Sequence, residues 1–325
     1  MIPRIVAAAL ALVGLLAGVG PGAAQQYPSR TVTIVVPFAA GGPTDDLARV
    51  LANALSAKLK ENFIIQNITG GGANIGSNHV AHAAPDGYTL LLHNLAISAN
   101  VTLYKDLAFD TEKDLRPVMF VNRNPLVLVG RESLEPKTLT ELIAWMKTHR
   151  AKVAIAGYGT TGHLATVLFA KEAKVDIDLI PYRGGAPVMT DLLGGRVDWF
   201  IGTPQQVVPH VVAGKLKAYG VTTKDSVPQL PTVDSFVKMF GPSFEIQYWQ
   251  ALFAPSGTPD AIVKQLNSAL QEIVADPAIL KRWEAEGVSG FPKDQLSLDA
   301  GRALFKSEIV RWGNLIRENN IKIEQ

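Results

Sequence analysis

Two glycine-rich stretches carry the residue types best suited to gripping a small anion. Pro37-Phe38-Ala39-Ala40-Gly41-Gly42-Pro43-Thr44-Asp45-Asp46 follows the apolar run Val32 to Val36. Gly157-Tyr158-Gly159-Thr160-Thr161-Gly162-His163 follows Val153 to Ala156. Each reads as a strand end, a tight turn and a helix start. The first N–H groups of a helix lack an intrahelical acceptor, and the helix dipole is positive there, so such turns attract anions. Two facing turns could hold a carboxylate without an arginine, which is chemistry for binding rather than turnover.

Individual residues divide between ligand contact and local structure. Gly41 and Gly42 suit a tight turn and direct ligand contact alike. Phe38, just past the strand, is expected to form a cleft wall. Thr44 and Asp45 are good helix N-caps. A carboxylate in an anion-binding loop repels its ligand unless backbone N–H groups satisfy it, so Asp45 is expected to hold the loop. Thr160 and Thr161 can cap a helix or donate hydroxyls. His163 can donate to an anion or pack locally, and Arg183 can stand at the cleft mouth or in solvent.

Competing chemistries lack their residues. Gly70 to Gly76 has neither the G-x-G-x-x-G order nor a phosphate-binding lysine, and reads as a closely packed turn. His79 and His82 lie three apart without an evident third metal ligand. There is no G-x-S-x-G elbow, no H-E-x-x-H and no cysteine. No enzyme, cofactor or metal is expected. Thirty-one basic against 29 acidic residues in 325 give no electrostatic case for nucleic acid or a membrane surface.

Alternating segments must position the two turns. Strands are expected at Thr31–Val36, Asn62–Gln66 and Tyr88–His93, separated by helices that begin near Thr44 and near Gly76. The first helix shows an apolar face of Leu47, Val50, Leu51, Ala54, Leu55 and Leu59. This β-α-β-α-β order favours an α/β fold with a mostly parallel sheet. The pattern restarts at Leu126, and after Pro242 a strand and three amphipathic helices follow. A chain that leaves one lobe and returns needs two crossings, expected near Arg123–Pro125 and Gly241–Gln247. The division is 27–124 with 246–325 as one lobe, and 125–245 as the other. Arg4, the apolar run Ile5 to Val19 and Gly22-Ala23-Ala24 predict a signal peptide over residues 1–24, cleaved after Ala24.

Further stretches carry a family resemblance. They are Tyr27 to Phe38, Gly41-Gly42-Pro43-Thr44-Asp45, Gly72-Ala73-Asn74-Ile75-Gly76 and Ala84-Pro85-Asp86-Gly87-Tyr88-Thr89-Leu90. Pro181-Tyr182-Arg183-Gly184, Asp191-Leu192-Leu193-Gly194-Gly195, Ala213-Gly214-Lys215-Leu216, Leu230-Pro231-Thr232 and Pro255-Ser256-Gly257-Thr258-Pro259 continue the series in order. The chain resembles the receptors of tripartite tricarboxylate transporters, the Bug group of periplasmic solute-binding proteins. The resemblance implies a type II periplasmic-binding fold, with two α/β lobes that close on a ligand. It implies a di- or tricarboxylate, an acidic amino acid or an aromatic acid as ligand, and membrane permease subunits as partners. Phe38, Ala40, Gly41, Gly42, Thr44 and Asp45 would line one side. Tyr158, Gly159, Thr160, Thr161 and His163 would line the other, with Asn94 and Thr203 as further walls. Ala40 stands where the family commonly has proline. Tyr158-Gly159-Thr160-Thr161 replaces a serine-rich run, and the Tyr158 ring could narrow the cleft or stack on a flat ligand. A periplasmic monomer is expected; a ligand-presenting receptor for a sensor is the alternative, and a secreted enzyme a weaker one.

Overall fold

The computed structural model describes residues 27–323; the expected signal peptide lies outside them. The elements, in chain order, are β1 (Val32–Val36), α1 (Pro43–Leu59), β2 (Phe63–Asn67), α2 (Asn74–Ala81), β3 (Thr89–Asn94), α3 (Ala96–Leu103) and β4 (Leu115–Pro125). Then come β5 (Val127–Arg131), α4 (Leu139–Met146), β6 (Ala151–Ile155), α5 (Thr161–Ala173), β7 (Ile177–Pro181), α6 (Gly185–Leu193), β8 (Trp199–Gly202), α7 (Pro204–Val212) and β9 (Leu216–Val221). The chain ends with β10 (Asp234–Ser235), α8 (Phe236–Phe240), β11 (Gln247–Pro255), α9 (Asp260–Val274), α10 (Pro277–Ala285), β12 (Ser289–Gly290) and α11 (Leu298–Glu318).

The strands form two sheets of the same design. One has the order β12-β4-β11-β3-β1-β2, the other β10-β9-β5-β8-β6-β7. In each, three parallel strands (β2-β1-β3 and β7-β6-β8) carry the crossover helices. β11 and β5 instead run antiparallel between their neighbours. Most strands of each sheet thus run in one direction, as expected, with β11 and β12 opposed in the first sheet and β5 alone in the second. β11 and β5 are entered directly from the other lobe, so no crossover helix sets their direction. β4 escaped the sequence reading because Pro117, Asn122 and Asn124 interrupt its apolar pattern. Its ladder with β11 absorbs Pro117 beside a register shift.

Leucines carry the α1 contact to the first sheet. Leu47, Leu51 and Leu55 are buried together with Leu90 and Leu92 of β3 and with Val263, Leu266 and Leu270 of α9. Helix α1 is capped two residues ahead of the nearer expected cap, Thr44. Gly42 is its N-cap and Pro43 its first residue, with no side-chain cap. Proline tolerates that position because its missing N–H is unneeded there.

The first crossing falls at Leu126, one residue past the expected segment, since Arg123–Pro125 still pair within β4. Thr222 ties both crossings together. The Leu126 N–H donates to the Thr222 hydroxyl at 2.9 Å, and that hydroxyl donates to the Ile246 carbonyl at 2.6 Å.

Candidate functional site between the lobes

The carboxyl ends of β1 and β6 face one another across a chamber of about 100 Å³. Space for one water takes about 10–15 Å³, so several water-sized groups fit. One wall holds Phe38, Ala40, Gly42, Thr44, Asn94 and Tyr248; the other holds Thr160, Thr161, Arg183, Thr203 and Gln206. Four helices begin here: Pro43 of α1, Thr161 and Gly162 of α5, Gly185 to Pro187 of α6, and the α7 N-cap Thr203 all line the space. Each helix start carries roughly half a positive charge. Among the described residues, the lining includes no Asp or Glu, and Arg183 is its one charged side chain. The chamber is electropositive by construction.

The two adjacent threonines differ. Thr160 is the N-cap of α5: its hydroxyl accepts from the His163 N–H at 3.3 Å and donates to the Gly157 carbonyl at 2.8 Å. Thr161 is 2% exposed, lines the chamber, and its hydroxyl has no partner among the described residues. On the first lobe's wall, the Tyr248 hydroxyl sits 3.0 Å from Thr44 Oγ1 and accepts from Asn94 Nδ2 at 3.2 Å. Burial pushes the Tyr248 hydroxyl up to about 12, against the opposing bonds from Thr44 and Asn94. It stays a neutral donor.

Five residues of the two turns, Gly41, Asp45, Tyr158, Gly159 and His163, do not line the chamber, and Asp45 holds its loop as expected. Asp45 lies beneath the first turn, accepting from the Gly41 N–H at 3.0 Å, Asn67 Nδ2 at 2.9 Å and Arg49 Nε at 2.9 Å. Burial alone would raise its carboxyl; those bonds outweigh it and hold it below the ordinary value. It faces away from the chamber, with its acceptors satisfied inside the loop. Gly41, at φ +80°, turns its N–H inward to Asp45 and so leaves the lining. Gly159, at φ +78°, lies beside Asn100 and Tyr104 of the α3 region, at the lobe–lobe contact. His163 is 1% exposed and accepts the Gly159 N–H on Nδ1 at 3.2 Å. Burial brings it down to about 4, so it offers an anion no charge. The Tyr158 ring packs edge-on against His163 at 5.4 Å and does not line the chamber.

Arg183, Gln206 and Tyr248 complete the lining. Arg183, expected at the cleft mouth or in solvent, lines the chamber, and its turn repeats the strand–glycine–helix signal of the first two. Gln206 was legible as the last member of a Thr203-x-x-Gln206 capping box. Tyr248 gave no local sign; it arrives on β11, directly opposite Asn124 of β4.

An electropositive chamber between two like α/β lobes defines a two-lobed solute-binding receptor. The profile of the tripartite tricarboxylate transporter family receptor matches residues 47–321. The periplasmic binding protein BugD is 33% identical with a TM-score of 0.87, covering 92% of this chain and 100% of its own. MatC from Rhodopseudomonas palustris, solved with bound malate, is 34% identical at a TM-score of 0.84, over 89% of this chain and 100% of its own. R. palustris Rpa4515, solved with adipate, is 31% identical at 0.85, over 91% and 99%. The chain belongs to the tripartite tricarboxylate transporter receptor family.

Proposed function

We propose that this protein is a periplasmic receptor that seats a small carboxylate in the inter-lobe chamber and passes it to the permease subunits of a tripartite tricarboxylate-type transporter. One observation carries the reading: four helix starts converge on a lining that, among the described residues, has no acidic side chain. Unpaired N–H groups of Thr161 and Gly162, the Thr161 hydroxyl and the Arg183 guanidinium supply charge-assisted donors. Each such bond contributes on the order of 1.5–3 kcal/mol. Malate in MatC and adipate in Rpa4515 favour a dicarboxylate. The protein acts as a monomer, exported by its N-terminal signal. Binding rather than turnover suits the lining, whose ionisable side chains are Arg183 and the high-lying Tyr248. The Tyr248 hydroxyl, raised to about 12 by burial, keeps its proton near neutral pH.

A thermal-shift screen of the mature chain tests this directly. Dicarboxylates, tricarboxylates, acidic amino acids and aromatic acids form the panel, with calorimetry on any hit. A ligand that binds only the folded state must raise the melting temperature. A selective, saturable rise is expected. Silence across the panel overturns the carboxylate reading.

A further inference from the structure

A second cavity, of about 660 Å³, opens beside the chamber towards α7 and α10. Gly42, Pro43, Ala186 and Gln206 line both spaces. The first two are the turn that opens α1, and Ala186 offers only a methyl. Gln206 alone has a side chain long enough to act as a partition. That side chain is pinned. Its Oε1 accepts from the Thr203 N–H at 3.4 Å and from the Thr203 hydroxyl at 3.3 Å. Its amide lies against Gly185, where an added methyl would overlap it.

We propose that Gln206 sets the length of ligand this receptor accepts. The inference rests on the carboxylate reading above. With one carboxylate at the α1 and α5 starts, a four-carbon chain ends inside the chamber. A longer chain must pass Gln206 to reach the outer cavity. Among the described residues, that cavity supplies no unpaired cation to draw the far end through, because Arg282 is already bound to Asp46 at 2.5 Å and Glu286 at 2.6 Å. The outer space is wide, so a distal carboxylate that passes remains hydrated. Solved relatives hold both a four-carbon acid and a six-carbon one, malate and adipate, in this same fold. A single side chain between two cavities is a sufficient device for choosing between them.

The test is calorimetric affinity for straight-chain dicarboxylates from four to eight carbons, on the mature wild type and three variants. Wild type is expected to lose at least tenfold in affinity from the four-carbon to the eight-carbon acid. Gln206→Ala joins the cavities and is expected to erase or reverse that loss. Gln206→Met keeps the bulk without the amide and is expected to keep the wild-type ranking. Gly185→Ala evicts the amide from its seat and reports independently should Gln206→Ala fold poorly; it too is expected to flatten the ranking. An unchanged ranking in both Gln206→Ala and Gly185→Ala overturns the proposal. So does a flattened ranking in Gln206→Met, which would place the effect in the helix cap rather than in the partition. Wild type that binds these acids without length preference overturns the gate alone. Wild type that binds none of them overturns the carboxylate reading as well.

Discussion

Thr160 and Thr161 are neighbours with opposite duties. The first holds the start of α5 through two bonds; the second leaves its hydroxyl unpartnered beside the chamber. Thr161→Val is therefore expected to weaken carboxylate binding about fivefold, roughly 1 kcal/mol for a lost hydrogen bond. Thr160→Ala is expected to act chiefly on stability, by about 1 kcal/mol. Calorimetry and urea unfolding of both variants would expose a swap of roles. Gly42 permits a sharper experiment. Its backbone is extended, at φ −85°, and an added Cβ meets only the Ala39 carbonyl at 3.4 Å. Asp is a favoured N-cap residue, so Gly42→Asp should fold well. Its charge in the chamber should raise the dissociation constant more than a hundredfold; retained affinity would remove this turn from the site. Two buried imidazoles set a pH response. Desolvation brings His93 and His163 to about 4 each, well below the free value of about 6.5. The folded chain then binds fewer protons than the unfolded one between those values. Their contribution is complete above pH 6.5 and drains as pH falls towards 4. Unfolding free energy should drop by roughly 2 kcal/mol per imidazole between pH 7 and pH 5. A flat profile there would refute the neutral buried histidines.

At the scale of elements, the first turn is held from below. Asp45 ties Gly41 at one end of the turn to Asn67 at the end of β2 and to Arg49 one helical turn on. Asn67 also donates to the Phe38 carbonyl at 3.0 Å, so strand, turn and helix share one network. Asp45→Ala would leave the Asn67 amide and the Gly41 N–H without this acceptor. Buried donors left unsatisfied cost about 1–3 kcal/mol each, and these two, only partly buried, fall at the lower end. We expect a loss of on the order of 2–3 kcal/mol in chemical unfolding, together with weaker ligand binding as the turn loosens. Unaltered stability would mean that water replaces the carboxylate at no loss. The second turn uses a different device for the same end, His163 Nδ1 accepting the Gly159 N–H.

Over the whole molecule, the lobes touch on both flanks of the chamber. Gly159 meets Asn100 and Tyr104 on one side, and Gly287 meets Val227 and Pro204 on the other. Gln229 of the second lobe donates to the Glu284 and Ala285 carbonyls at 2.7 and 2.9 Å, the free carbonyl end of α10. That bond is formed only when the lobes are together. Gln229→Ala should favour separation and weaken every ligand by the same factor, about fivefold, since it acts on the equilibrium between open and closed forms. X-ray scattering of the ligand-free variant should show a larger radius than wild type. Affinity and radius both unchanged would mean that Gln229 does not latch the lobes.

The residues themselves determined the two strand–turn–helix units and the inward role of the Asp45 charge. Anion attraction by a helix start, and repulsion by an unsatisfied carboxylate, are properties of a few adjacent residues. Apolar runs and turn glycines likewise announced most strands and helices. β4 was hidden because its prolines and asparagines break the pattern, and only pairing with β11 makes it a strand. Tertiary structure alone decided which side of each turn faces the chamber. Gly41, Gly159 and His163 belong to the right loops, yet their hydrogen bonds turn them inward. It also decided the rest of the wall. Tyr248 meets Thr44 from 204 positions away, and Gln206 lies against Gly185 from a different helix start. Such contacts depend on how two sheets and their helices close on one another, and no local pattern in the chain encodes that geometry.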